Sequence, residues 1–232
     1  MLILFDIDGT LLDDAAAMRA GAAALHASAG VGVPFDDFLA HWCAAADRHF
    51  DRYISGELDY QAQRRERIRE VIDDSLGAAE ADALFAVYLA AHEAAWWLYD
   101  DANDCLDALS HHRLGVVSNG LGEQQRSKLH RTGITDRFET IVISAEVGER
   151  KPDAAIFHHA CAGAGCAPSD AVYVGDRYET DAVGARRAGL LGVWLDRTEA
   201  RSEAHEGPIV GDLREFAGLI DRTSPDRARE EG

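Results

Sequence analysis

The chain is poor in positive charge: 23 Lys and Arg stand against 41 Asp and Glu, a formal net charge of −18 over 232 residues. That balance argues against nucleic acid and anionic membrane surfaces as partners, because both need basic patches. The acids are spread along the chain, as on a solvated surface. Cysteine is also scarce. Cys43, Cys105, Cys161 and Cys166 form no CxxC pair, and no His or Cys cluster accompanies Cys161 and Cys166. They read as small reduced core residues, not as a zinc site. No apolar run approaches membrane-spanning length. The first residues lack the basic segment, apolar stretch and cleavage site of a secretory signal. A cytoplasmic protein is expected.

What is present starts at the first residue. Hydrophobic residues make up 47% of the chain, enough for a substantial core in one large domain or two modest ones. Leu2 to Phe5 is all apolar and reads as a strand buried on both faces. It stops at Asp6 and Asp8, and Gly9 follows, a residue suited to a sharp turn. In open α/β sheets the carboxyl ends of strands are where ligands bind. Asp6 and Asp8 are two apart and can face one crevice. Two close anions repel unless a cation or shared proton relieves them, and Mg²⁺ is a natural answer. Taken alone, Asp-Ile-Asp-Gly-Thr is read equally well as a strand ending in a polar turn.

From Thr10 to about Leu98 the pattern is helical. Helices are expected over residues 15–29, 35–52, 58–75 and 79–98, broken at Gly30, Ser55-Gly56 and Gly77. The run Arg64, Arg65, Arg67 and Arg69, mixed with Glu66 and Glu70, reads as mostly a solvated face. From Asp101 strands and helices alternate. Strands are expected at 114–117, 140–143, 171–174, 192–195 and 209–210, and helices at 102–111, 122–131, 151–159, 178–188 and 212–220. The fold class is therefore α/β: a doubly wound parallel sheet with an inserted all-helical module. The division is residues 1–12 and 99–222 as core, 13–98 as insert and 223–232 as a charged tail.

Polar residues fall at several expected strand or loop ends: Asp6 and Asp8 after the first strand, Ser118-Asn119-Gly120 after the second, Lys151 before a helix, and Asp176 with Asp181 after a later strand. Parallel strands point one way, so these ends share an edge. Each piece has a bland alternative as a turn, a solvated lysine or a helix start. Jointly, the set resembles the four motifs of the haloacid dehalogenase superfamily. The helical insert is similar to the C1 cap of its subfamily I.

That resemblance implies a Mg²⁺-dependent phosphatase acting on a small phosphomonoester. Asp6 would be the nucleophile that becomes an aspartyl-phosphate. Asp8 would protonate the leaving oxygen and then activate water. Ser118 would bind the phosphoryl group, helped by backbone N–H groups at Asn119 and Gly120. Lys151 would neutralise phosphate charge and hold Asp6. Asp6, the backbone carbonyl of Asp8, Asp176 and Asp181 would surround the metal. The second aspartate favours phosphorus over halide chemistry, since a halide leaves without a proton. The absence of Lys between Asp13 and Leu98 argues against an imine-forming phosphonatase. A phosphomutase is the alternative, and a non-turnover phospho-aspartate signalling or binding module a more distant one. The substrate class implied is a nucleotide or sugar phosphate, with the chain a monomer or homodimer. Asp6→Asn is expected to remove the nucleophile while altering only a surface carboxylate.

Overall fold

The computed structural model describes residues 1–198 and 205–223. It divides into two compact units, Met1–Asp13 with Trp97–Gly232, and Asp14–Trp96.

The first unit is built on a six-stranded sheet in the order β3-β2-β1-β4-β5-β6, with every neighbouring pair parallel. Its strands are β1 (Leu2–Phe5), β2 (Arg113–Ser118), β3 (Thr140–Ile143), β4 (Ala171–Gly175), β5 (Leu191–Leu195) and β6 (Ile209–Val210). All four residues of β1 are buried, as a central strand covered on both faces requires. Leu2 and Leu4 pack with Phe157 and Tyr173 in one layer. Phe5 meets Phe216 edge-on at 5.7 Å on the other face. Burying a side chain such as Phe216 contributes about 1.5–3 kcal/mol, and residues of this kind hold helices to both faces. Phe5 lies level with Val116 of β2 and Val174 of β4. The register therefore delivers Asp6 between the ends of β2 and β4.

The second unit is all helical: α1 (Asp14–Ala29), α2 (Phe35–Ile54), α3 (Tyr60–Val71) and α4 (Ala78–Ala94). Its core gathers Leu25, Phe38, Trp42, Ile68, Phe85 and Tyr88. Helix α3 starts where the Asp59 side chain accepts from Ala62 N at 2.6 Å. Helix α4 starts where Glu80 accepts from Gly77 N at 2.9 Å. Such caps satisfy donors that a helix start leaves open.

Around the sheet lie α5 (Ala102–Ala108), α6 (Gly122–Arg131), α7 (Ser144–Val147), α8 (Ala154–Gly163), α9 (Gly184–Arg187) and α10 (Leu213–Thr223). Among the described residues, no helix is long and apolar enough to cross a membrane. The expected tail lies outside the described residues beyond Thr223.

Several local expectations differ from the structure. The helices expected over 58–75, 102–111 and 151–159 are α3, α5 and α8, with the shorter or shifted bounds given above. The helix expected over 79–98 stops at Ala94, and Leu98 instead forms an antiparallel bridge with Leu12. The helix expected over 178–188 begins as a wide π-helical turn, Tyr178–Val183, before α9. The arginine run of α3 is not uniformly solvated. Arg65 pairs with Asp82 of α4, whereas Arg67 is buried with its guanidinium 4.3 Å from the Trp42 ring. Periodicity alone cannot distinguish a cation stacked on an aromatic face from one in water.

Candidate active site

The site begins with a tight reversal after β1. Ile7 O accepts from the N–H groups of Leu11 and Leu12 at 3.0 and 2.9 Å. Gly9 sits in this reversal with φ +75°, a region that disfavours side chains. A Cβ at Gly9 would also collide with the Asp176 carboxylate. The turn and the acid from β4 thus occupy complementary space. Gly175 plays the same part for Asp181, whose side chain lies where a Cβ on residue 175 would point.

Asp6 is only 6% exposed, so it is not the surface carboxylate expected from sequence. Lys151, also buried, bridges it to Asp181: Nζ lies 2.8 Å from Asp6 Oδ1 and 2.8 Å from Asp181 Oδ1. The same ammonium donates to the Tyr173 hydroxyl at 2.7 Å. That hydroxyl has one proton to give, with Val117 O at 3.0 Å and Asp181 Oδ1 at 3.2 Å as acceptors. Asp181 Oδ2 accepts from Arg177 N at 2.9 Å. The wide turn at Tyr178–Val183 brings Asp181 back to this position, and such insertions recur at functional sites.

Asn119 ties the loop after β2 to Lys151. Its amide accepts from Lys151 N at 2.9 Å and donates to Lys151 O at 3.0 Å. The Asn119 side chain is thus engaged with the lysine backbone. Gly120 N–H, a candidate phosphate donor from sequence, donates instead to Ser144 Oγ at 3.0 Å. Ser118 is buried at the end of β2, and its Oγ accepts from Gln125 Nε2 at 2.7 Å. The Asp8 carboxylate accepts from Gln125 Nε2 at 2.8 Å and from Lys128 Nζ at 2.6 Å.

The electrostatics follow from crowding acids at one rim. Burial pushes the Asp6 carboxyl up to about 6; Lys151 opposes that rise, while Asp181 and Asp8 add to it. Asp176 rises to about 8 through burial and the nearby Asp6 and Asp181 charges. Burial works against the Lys151 ammonium, yet Asp181 and Asp6 outweigh it and lift its pKa above the ordinary value. Burial, with the Asp181 and Asp6 charges, holds the Tyr173 phenol well above its usual range.

Carboxylate oxygens of Asp6, Asp176 and Asp181 can lie within 4.8 Å of one another. Asp176 Oδ1 is buried with no hydrogen-bond partner. An orphaned oxygen beside two other acids matches the hard oxygen set that a divalent cation such as Mg²⁺ prefers. The Asp8 carboxylate is outside that group.

Asp6, Asp8, Ser118, Lys151, Asp176 and Asp181 therefore meet at one sheet edge. Three contributors were missed by sequence reasoning: Gln125, Lys128 and Tyr173. Each left a signal. Gln125, Lys128 and Leu129 share one face of α6, so two long polar residues sit on its buried side. Tyr173 interrupts a central strand, where a buried hydroxyl needs a partner.

A doubly wound parallel sheet with acids at the carboxyl ends of its central strands, paired with a buried lysine from the stretch between α7 and α8, defines an α/β protein with its site at the topological switch point. Sequence comparison gives the family. The profile of haloacid dehalogenase-like hydrolases matches residues 1–189, and the chain belongs to that family. It is 32% identical over 243 residues to a phosphoserine phosphatase of Thermus thermophilus, covering 92% of this chain and 96% of that protein. It is 31% identical over 210 residues to a ribulose-1,5-bisphosphate 5-phosphatase of Halopiger xanaduensis, covering 88% and 87%. Among solved structures, the HAD hydrolase YfnB of Bacillus subtilis superposes with a TM-score of 0.81 at 21% identity, over 95% of this chain and 98% of that one.

Proposed function

We propose that this hydrolase is a Mg²⁺-dependent phosphatase that cleaves a small phosphomonoester through an aspartyl-phosphate on Asp6. The class is a phosphatase-type hydrolase, in keeping with relatives named for phosphoserine and sugar-phosphate hydrolysis. The observation that carries the finer reading is the buried Asp6 carboxylate, paired with Lys151 and placed beside the unpartnered Asp176 oxygen.

In this reading an Asp6 oxygen attacks phosphorus and the ester P–O bond breaks. Asp8 gives a proton to the departing oxygen. Water then attacks the phosphorus, the bond to Asp6 breaks, and Asp8 takes the water's proton. Lys151 and the Ser118 hydroxyl offset charge on the phosphoryl oxygens, while Asp181 and Tyr173 hold Lys151 in place. Asp6, Asp176, Asp181 and the Asp8 carbonyl would hold Mg²⁺, which when bound lowers the repulsion between carboxylate and phosphate dianion. Phosphoryl transfer depends chiefly on such positioning and charge stabilisation, and a covalent intermediate divides it into two easier steps.

The substrate class we assign is a small phosphorylated metabolite, of the nucleotide or sugar phosphate kind. The four free thiols suit a reducing compartment such as the cytoplasm. The test is turnover of p-nitrophenyl phosphate with and without EDTA, followed by a panel of phosphorylated metabolites. Continuous Mg²⁺-dependent release is expected. Release that survives metal removal would contradict the metal requirement, and stoichiometric labelling without turnover would contradict the phosphatase.

A further inference from the structure

Asp8 and Ser118 leave the sheet from different strands, yet α6 serves both. Gln125 and Lys128 are one turn apart on that helix and are only 2% and 4% exposed. Long polar side chains are costly to bury unless each polar atom finds a partner. Here the partners are the two side chains to which the reaction gives proton and phosphate roles. Lys128 Nζ holds Asp8 Oδ1 at 2.6 Å. Gln125 Nε2 holds Asp8 Oδ2 at 2.8 Å and Ser118 Oγ at 2.7 Å.

The chemistry of these groups fixes their orientation. An ionised carboxylate only accepts hydrogen bonds, so the amide must present its two N–H bonds to this side. One goes to Asp8 and the other to Ser118. A serine hydroxyl that accepts from Gln125 must direct its own proton elsewhere. Asn119 O, at 3.4 Å, is too far to hold that proton well. The proton remains available to a phosphoryl oxygen.

We infer that Gln125 and Lys128 are positioning residues for phosphoryl transfer. Together they fix the orientation of the Asp8 carboxylate, and Gln125 also turns the Ser118 hydroxyl into a donor toward the phosphoryl group. This rests on the reading of Asp8 as acid–base and Ser118 as phosphate ligand. The two residues then have separable signatures. Misplacing Asp8 hurts leaving groups that need a proton more than those that leave as stable anions. Losing the Gln125 donor also weakens phosphate binding through Ser118.

The experiment compares wild type with Lys128→Met, Lys128→Arg and Gln125→Leu on phenyl phosphate and p-nitrophenyl phosphate, with inhibition by inorganic phosphate. Thermal midpoints serve as the folding control. Lys128→Met is expected to lower kcat/KM for phenyl phosphate about 10- to 100-fold, the scale of losses when orienting partners are removed. Its loss on p-nitrophenyl phosphate should be smaller, and Lys128→Arg should recover most of it. Gln125→Leu should show the same selectivity and weaker phosphate inhibition. Equal losses on both substrates, or none, would overturn the positioning role. Should Lys128→Met fail to fold, Gln125→Leu, which changes no charge, decides by the same criteria. Absence of turnover by the wild type would instead overturn the phosphatase reading.

Discussion

At the scale of residues, Lys151 holds the site together. It is buried, and acids on two sides lift its pKa despite the cost of burial. Lys151→Met would leave Asp6 and Asp181 facing each other without a cation. Removing one partner of a buried pair costs about 3–5 kcal/mol, so urea unfolding should show a loss of that order. Asp6→Asn should behave differently. Lys151 keeps Asp181 at 2.8 Å, and the amide avoids burying a charge that the site already disfavours. Its activity should vanish while its metal-free thermal midpoint is unchanged or raised. A large drop in that midpoint would contradict this account of the Asp6 environment. Gly9→Ala is a third case. It places a side chain at φ +75° and pushes into Asp176. The backbone cost is about 1–2 kcal/mol, and the displaced Asp176 should weaken Mg²⁺ binding, measurable by titration.

At the scale of elements, the boundaries of β1, β3, β6 and α6 agree between sequence and structure, because each is framed by unambiguous apolar runs or turn residues. The acids and Lys151 could be placed at the sheet edge from strand order alone. The misread elements were those decided by tertiary contacts. The turn at Tyr178–Val183 is widened where the Asp181 side chain accepts from Arg177 N. Helix α4 ends early where Trp96 turns back and its indole donates to His92 at 3.2 Å. Gln125 and Lys128 were passed over because polar residues on a polar helix give no apolar stripe to break. Only the three-dimensional neighbours of Asp8 show why that face is buried.

At the scale of the molecule, a net charge of −18 opposes an anionic substrate at long range. Exposed charges are largely screened beyond about 8 Å at physiological salt, so the cations inside the site decide. The clustered acids also link stability to pH. Asp6 and Asp176 have folded pKa values near 6 and 8, above the ordinary value of 3.8. Between about pH 4 and 8 the metal-free fold holds protons that the unfolded chain has released. Raising pH through that window therefore removes their stabilising contribution. A divalent cation displaces those protons and relieves the repulsion. The rise in thermal midpoint on adding Mg²⁺ should accordingly be larger at pH 8 than at pH 6. An equal rise at both would contradict the linkage.

The covalent role proposed for Asp6 is the point on which the chemistry turns. Rapid acid quenching during turnover of a labelled phosphomonoester, followed by peptide mapping, addresses it directly. The label should appear on the peptide containing Asp6, accumulate in Asp8→Asn, and be absent from Asp6→Asn. Steady turnover with no protein-bound phosphate, or label on another residue, would contradict the aspartyl-phosphate account.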